Sequence, residues 1–295
     1  MESEKVYING RIVALKGARV SVSDRGLNYG DGLFETMKAY KGRVFLLKEH
    51  LERLGEGAGF LAIPSPDGAE LEQEIERLLK INNLTRNEAY IKILLTRGED
   101  RGVLLPIKGI KPTVIITARR LDTATIKRMQ GNGVDAFLLG ERLNPPLIST
   151  LLKRGIKSLN YLPNVLGKIE ASRKKAYEGI FTKGRNILEG TSTNVFIVKG
   201  GVIKTPPTGR GTGILAGVMR KAVMSIAMEK GIPLRQAEVK VSELKKSDEA
   251  FLTNSIVEVL PLVRVDSFKI GNGKAGSITM CLQKSLKDLA TGANL

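Results

Sequence analysis

Residues 89–96 (AYIKILLT) and 112–118 (PTVIITA) limit the fold most, because each is a short apolar run rich in β-branched residues and reads as a buried strand. They follow two stretches, 46–54 (LLKEHLERL) and 71–79, whose apolar residues recur at helical spacing. Ahead of these, residues 6–13 alternate weakly around Asn9-Gly10, a hairpin-turn dipeptide, and Gly30 and Gly32 mark a turn before 33–40. Strands with helices interposed predict a small N-terminal α/β domain over residues 1–120. The polar stretch after Arg119-Arg120-Leu121-Asp122 reads as an interdomain loop, 121–127. Residues 128–295 form the larger C-terminal domain. There the pattern gives a strand at 134–139, a helix at 163–177 and a hairpin over 194–204 with Gly200-Gly201 at its turn. A loop follows through Pro206-Pro207 and TGRGTG (208–213), then a helix over 216–230, a short strand at 249–252 and a closing helix over 278–289.

Composition removes several function classes. No apolar run reaches the length that spans a bilayer, and the opening MESEKVYING lacks the apolar core of a secretory signal, so no membrane role is expected. Cys281 is the single cysteine; it excludes an internal disulfide and fits a reducing cytoplasm. Cys281 and His50 are the only thiol and imidazole and lie far apart in sequence, which disfavours a metal centre or a Cys–His protease. His50 sits in a helical pattern and reads as structural. The net charge of +17 raises nucleic-acid binding, but the basic residues are scattered, aromatics are 5% and Trp is absent. The densest clusters, KRGIK at 153–157 and SRKK at 172–175, are short. A solvated basic surface that attracts anionic small molecules accounts for the charge, with no nucleic-acid partner.

Two residues suggest a cofactor. Lys157, in IKSLNYL (156–162), is an amine that could carry a Schiff base, and Glu189 follows it by 189 − 157 = 32 positions in LEGTSTNVF (188–196). An aldehyde cofactor needs an amine anchor, and a pyridine ring acting as an electron sink needs an acidic partner at its nitrogen. Physical reasoning alone does not single out Lys157 among 47 basic residues. TGRGTG lacks the Gly-Lys-Ser/Thr ending of a phosphate loop, but Gly217 stands at a helix start, where free amides and the helix dipole favour a phosphate.

The chain resembles the class IV aminotransferases, the fold-type IV pyridoxal phosphate enzymes that include branched-chain aminotransferases, D-amino acid aminotransferases and aminodeoxychorismate lyases. Six blocks in order carry the resemblance: DRGLNYGDGLFE (24–35), HLERL (50–54), IKSLNYL (156–162), EGTSTNVF (189–196), GILAGVMR (213–220) and FLTNSIVEVLP (251–261). It implies an α/β (α+β) fold with the cofactor, pyridoxal 5'-phosphate, in the cleft between the two domains, and a homodimer. Lys157 then corresponds to the catalytic lysine that anchors the cofactor and shuttles the substrate proton. Glu189 corresponds to the carboxylate at the pyridine nitrogen and Tyr161 to a hydrogen-bond partner of the phenolic oxygen. Arg53, the amides of Val218 and Met219, and Ser255 with the Asn254 amide correspond to the phosphate ligands, while Leu215 packs on the ring. Many relatives have threonine where Met219 stands, so only main-chain donors are expected there.

Tyr29, Phe34, Glu35 and Thr36 lie in the block that lines the substrate's side-chain and carboxylate pockets in this family. Lys92 takes a position that is arginine in many branched-chain enzymes and tyrosine in D-amino acid enzymes. Arg97 and Arg101 lie in the next loop, whose family counterpart approaches the other subunit's active site, and either could meet a substrate carboxylate. The resemblance implies transfer of an amino group between an amino acid, branched-chain or similar, and a 2-oxo acid by a ping-pong cycle. Phe34 and Glu35 point that way, whereas TNSI (253–256) and Asn144-Pro145 look like a lyase forming 4-aminobenzoate and pyruvate. A D-amino acid aminotransferase and a basic protein without catalysis are the remaining alternatives.

Overall fold

The computed structural model describes residues 4–140, 156–209 and 211–292, so Asn144-Pro145 and Arg210 lie outside the described residues. The chain divides into two compact units, one made of Met1–Leu121 with Ile156–Asn160, the other of Asp122–Gly155 with Tyr161–Leu295.

The first unit contains β1 (Lys5–Ile8), β2 (Arg11–Ala14), α1 (Arg25–Tyr29), β3 (Gly32–Tyr40), β4 (Arg43–Val44), α2 (Leu47–Leu61), α3 (Gly68–Ile81), β5 (Glu88–Thr96) and β6 (Thr113–Arg120). The strands form one antiparallel sheet in the order β2-β1-β6-β5-β3-β4. Asn9 and Gly10 both take positive φ (47° and 85°), the left-handed pair a two-residue hairpin turn requires. Side chains alternate across the sheet, so Leu33, Met37, Ile91, Ile93, Leu95 and Ile116 share one face and pack with Leu54, Ala58, Leu71, Ile75 and Leu78 of α2 and α3. Phe34 and Thr36 fall on the opposite face.

The second unit contains α4 (Thr123–Asn132), β7 (Val134–Leu139), α5 (Leu162–Arg173), β8 (Glu178–Lys183), β9 (Asn186–Gly190), β10 (Asn194–Lys199), β11 (Val202–Thr205), α6 (Val218–Glu229), β12 (Leu234–Gln236), β13 (Val239–Lys240), α7 (Val241–Lys245), β14 (Glu249–Asn254), β15 (Glu258–Val265), β16 (Phe268–Lys269) and α8 (Ser277–Thr291). Its sheet runs β12-β11-β10-β14-β15-β7-β8-β9-β13, with β16 beside β15. β7 pairs in parallel with both β15 and β8. A Cβ on Gly167 of α5 would come within 2.7 Å of Leu139 and 2.8 Å of Thr191, so glycine there lets the helix lie close on the sheet.

One sequence expectation changes. The stretch expected as a loop at 121–127 is helical from Thr123, because Asp122 caps α4 by accepting a hydrogen bond from the Thr125 amide (3.1 Å). β15 is an interior strand that carries a proline, Pro261, and its ladder with β7 shifts register between Leu262 and Arg264. Among the described residues, no helix is long and apolar enough to cross a membrane.

Candidate active site

In the first unit, residues 156–160 run alongside β3. The Phe34 amide donates to the Lys157 carbonyl (3.0 Å) and the Leu159 amide to the Gly32 carbonyl (2.9 Å). This pairing fixes the backbone of the lysine against a strand and brings its Nζ 4.3 Å from the centre of the Phe34 ring. Lys92, opposite Thr36 on β5, brings a second amine to 5.1 Å from the same ring. Burial lowers the Lys92 pKa. Lys157, Phe34, Thr36 and Lys92 therefore share one face of the sheet.

Glu35 does not join them. It points to the other face, where it is 1% exposed and accepts from Arg53 Nε (2.7 Å), Arg53 Nη2 (2.7 Å) and His50 Nδ1 (2.8 Å) on α2. The expectation that Glu35 lines a substrate pocket fails on strand parity, since neighbours of Phe34 point away from it. Burial alone would raise the Glu35 pKa, but the Arg53 charge and the hydrogen bonds from His50 and Arg53 hold it at about 2. A carboxyl depressed from 4.5 contributes stability that is complete above about pH 4.5 and is lost as pH falls toward 2. We expect this loss to be on the order of 3 kcal/mol, read as the change in urea unfolding free energy across that window. An unfolding free energy that stays flat there would show that the pair contributes nothing.

Arg97 is engaged structurally. Its Nε and Nη2 meet Asp31 (2.7 and 3.1 Å), and it also donates to the carbonyls of Ala62 (3.0 Å) and Leu61 (2.8 Å). These bonds occupy most of the guanidinium, so Arg97 braces the loop after β5 instead of presenting a free fork to a substrate. Buried Arg25 braces the same loop. It bonds Asp31 (2.8 Å), Asp100 (2.9 Å) and the carbonyls of Val103 (2.7 Å) and Leu104 (2.9 Å). Tyr29 donates to the Gly102 carbonyl (2.8 Å), and Arg101 is exposed on this loop.

In the second unit, Glu189, next to last in β9, is a buried carboxylate that accepts from the Leu215 amide (3.0 Å) and Asn194 Nδ2 (3.3 Å). Asn194 also donates to the Leu215 carbonyl (3.0 Å), tying the acid to the segment that leads into α6. Gly217 caps that helix without a side-chain bond, and a Cβ there would meet Asn194 Oδ1 at 2.1 Å. The first helical bond in α6 runs from the Lys221 amide to Gly217, so the amides of Val218 and Met219 precede the helical ladder. Asn254 Oδ1 accepts from the amides of Ile256 and Val257 (both 2.9 Å), a turn that sets Ser255 at the end of β14. Tyr161 donates to the Thr191 carbonyl (2.9 Å), which also accepts from Asn164 (2.8 Å).

The donor set suits pyridoxal phosphate. The first unit carries an amine and a guanidinium, and the second a buried carboxylate, helix-start amides and a hydroxyl, which are the group types an aldehyde, a ring nitrogen and a phosphate call for. The Amino-transferase class IV family model matches residues 32–265. The chain belongs to the class IV aminotransferases. This family depends on pyridoxal phosphate, and its aminotransferases move an amino group between an amino acid and a 2-oxo acid. The chain is 38% identical over 289 residues to a putative branched-chain-amino-acid aminotransferase of Methanocaldococcus jannaschii, covering 97% of this chain and 96% of that protein. It is 34% identical over 282 residues to a D-alanine aminotransferase of Staphylococcus haemolyticus, covering 95% of each. The Escherichia coli branched-chain amino acid aminotransferase structure has the same fold, with a TM-score of 0.88, 29% identity, and coverage of 99% of this chain and 96% of that one.

Sequence reasoning passed over Asn194, Glu178 and Asp31, and treated Glu35 only as a pocket residue. Glu35 and Glu178 are charged residues within largely apolar strand runs, and that contrast is the available signal.

Proposed function

We propose that this aminotransferase binds pyridoxal 5'-phosphate and acts on branched-chain or similar amino acids with a 2-oxo acid as the second substrate. The observation that carries the cofactor reading is Glu189, a buried carboxylate held by Leu215 and Asn194 at the approach to an uncapped helix start. Bound pyridoxal phosphate supplies an aldehyde that takes up the substrate amine and a ring that accepts the electron pair left when the Cα–H bond breaks.

We assign the chain's own groups as follows. Lys157 anchors the aldehyde and, once displaced by substrate, takes the Cα proton as a general base and returns it on the far carbon. Glu189 supplies the carboxylate that would pair with the ring nitrogen and favour its protonated form. Arg53, the amides of Val218 and Met219, and Ser255 with Asn254 hold the phosphate, and Leu215 covers one ring face. Tyr161 carries a single hydroxyl proton, so to serve the phenolic oxygen it must turn from the Thr191 carbonyl. Phe34, Thr36 and Tyr29 shape the side-chain pocket. Lys92 is the cation we assign to a substrate carboxylate, with Arg101 second and Arg97 set aside because Asp31 and two carbonyls hold it.

A homodimer is part of this proposal. Leu104 and Leu105 are 80% and 82% exposed on a loop that Arg25 holds firmly, and rigid exposed leucines support a protein contact. The division into domains at 1–120 and 128–295 belongs to the same proposal.

Substrate choice is tested by offering L- and D-forms of valine, leucine, isoleucine and alanine with 2-oxoglutarate and, separately, pyruvate. We expect kcat/KM for the L-branched-chain set to exceed that for D-alanine by about tenfold or more. A preference for D-alanine would instead place the chain with relatives such as the Staphylococcus haemolyticus enzyme.

A further inference from the structure

Glu35 is a carboxylate in an apolar layer, between Leu33 and Met37 on β3, where burying an ion costs several kcal/mol unless its partners compensate. Its partners are not scattered. His50 and Arg53 lie three residues apart on α2, so both side chains leave the helix on the side that faces the sheet. Glu35 Oε1 meets Arg53 Nε, Oε2 meets Arg53 Nη2, and His50 Nδ1 meets Oε2 as well. With the carboxylate ionised, His50 Nδ1 carries the proton it donates. His50 is 0% exposed and so holds the carboxylate in one orientation.

This arrangement directs the guanidinium. The grip takes the Nε–Nη2 edge of Arg53, so the adjoining Nη1–Nη2 edge lies at a fixed angle to Glu35. A guanidinium is planar with its donors in a fixed fork, so clamping one edge determines where the other points. An arginine on a helix surface otherwise samples many rotamers, and ordering it on ligand binding is costly. Here the ordering is done in advance by a strand carboxylate and a helix imidazole.

We propose that Glu35, locked by His50, is a positioning residue that aims Arg53 at the phosphate of the cofactor. The inference rests on the reading above that Arg53 is a phosphate ligand. It makes the chain's only histidine part of a cofactor-affinity device and assigns Glu35 to binding rather than to the substrate pocket.

The test compares binding of pyridoxal 5'-phosphate with binding of pyridoxal, which lacks the phosphate. Both are titrated into the apoprotein and followed by visible absorbance. Glu35→Gln keeps the side-chain shape and removes the charge. It is expected to weaken pyridoxal phosphate by about tenfold while leaving pyridoxal within about twofold of wild type. Arg53→Gln should show the same phosphate-selective loss, and His50→Gln, which frees the carboxylate without removing it, a smaller one. Equal losses for both ligands in Glu35→Gln, or no loss for either, would overturn the proposal, since a purely structural role does not discriminate between them. If Glu35→Gln does not fold, His50→Gln decides on the same comparison. Failure of the underlying reading looks different: wild type would not bind pyridoxal phosphate, or Arg53→Gln would lose nothing.

Discussion

Replacing Lys157 with alanine is expected to lower transamination by about a thousandfold or more and to abolish the visible absorbance of tightly held pyridoxal phosphate. The size follows from the two roles that the proposed function assigns to Lys157, the covalent anchor and the base that moves the Cα proton. The fold should survive, because residues 156–160 are held to β3 through backbone bonds, Phe34 N to Lys157 O and Leu159 N to Gly32 O, that do not involve the lysine side chain. Lys157→Arg keeps the charge 4.3 Å from Phe34 but has no nucleophilic amine, so it should be equally inactive. The checks are steady-state rates with an L-branched-chain donor, absorbance after dialysis, and a thermal melt. An alanine variant that turned over at a tenth of the wild-type rate would remove Lys157 from the chemistry.

The largest stability effect is expected at Glu178. This carboxylate is 0% exposed and accepts from the hydroxyls of Thr191, Ser192 (2.9 Å) and Thr193 (3.1 Å) and from the Gly179 amide (3.0 Å), with Lys168 Nζ 3.6 Å away. One side chain thus satisfies three successive residues of the turn between β9 and β10. Glu178→Ala leaves those hydroxyls without their acceptor and Lys168 without its counter-ion, which we expect to cost about 3–5 kcal/mol in urea unfolding. Glu178→Gln keeps an acceptor oxygen, and the hydroxyls can rotate, so about half that loss is expected. The same turn carries the Thr191 carbonyl that receives Tyr161 and Asn164, so activity should fall beyond what the unfolded fraction explains. An unchanged unfolding midpoint for Glu178→Ala would mean the network adds nothing to stability.

Much of the architecture was legible in the chain because its signals are local. Asn9-Gly10 and Gly200-Gly201 form tight turns with positive φ at both residues of each pair, as their side chains, or lack of them, require. The apolar spacing of 71–79 reappears as α3, and the buried apolar runs at 89–96 and 112–118 reappear as β5 and β6. Harder to read were the strand through Pro261, the helix starting at Thr123, and the association of Ile156–Asn160 with the first unit. The first and third rest on pairing between segments, Pro261 opposite Phe251 and Ser158 bridging to Leu33, and the second on the single side-chain cap at Asp122.

The candidate site divides the same way. By itself the sequence determined which chemical groups the protein has, since Lys157, Glu189, Arg53 and the helix-start glycine Gly217 stand in blocks whose order and spacing mark the family. Only the tertiary structure decided how those groups are held and which neighbours serve another purpose. Glu35 and Phe34 are adjacent in sequence and point to opposite faces of a strand, one gripping Arg53 and the other meeting Lys157. Arg97, a plausible carboxylate ligand as a residue type, is closed around Asp31. The physical reason is that residue type sets charge and donor count, whereas direction, burial and pairing come from contacts between elements far apart along the chain.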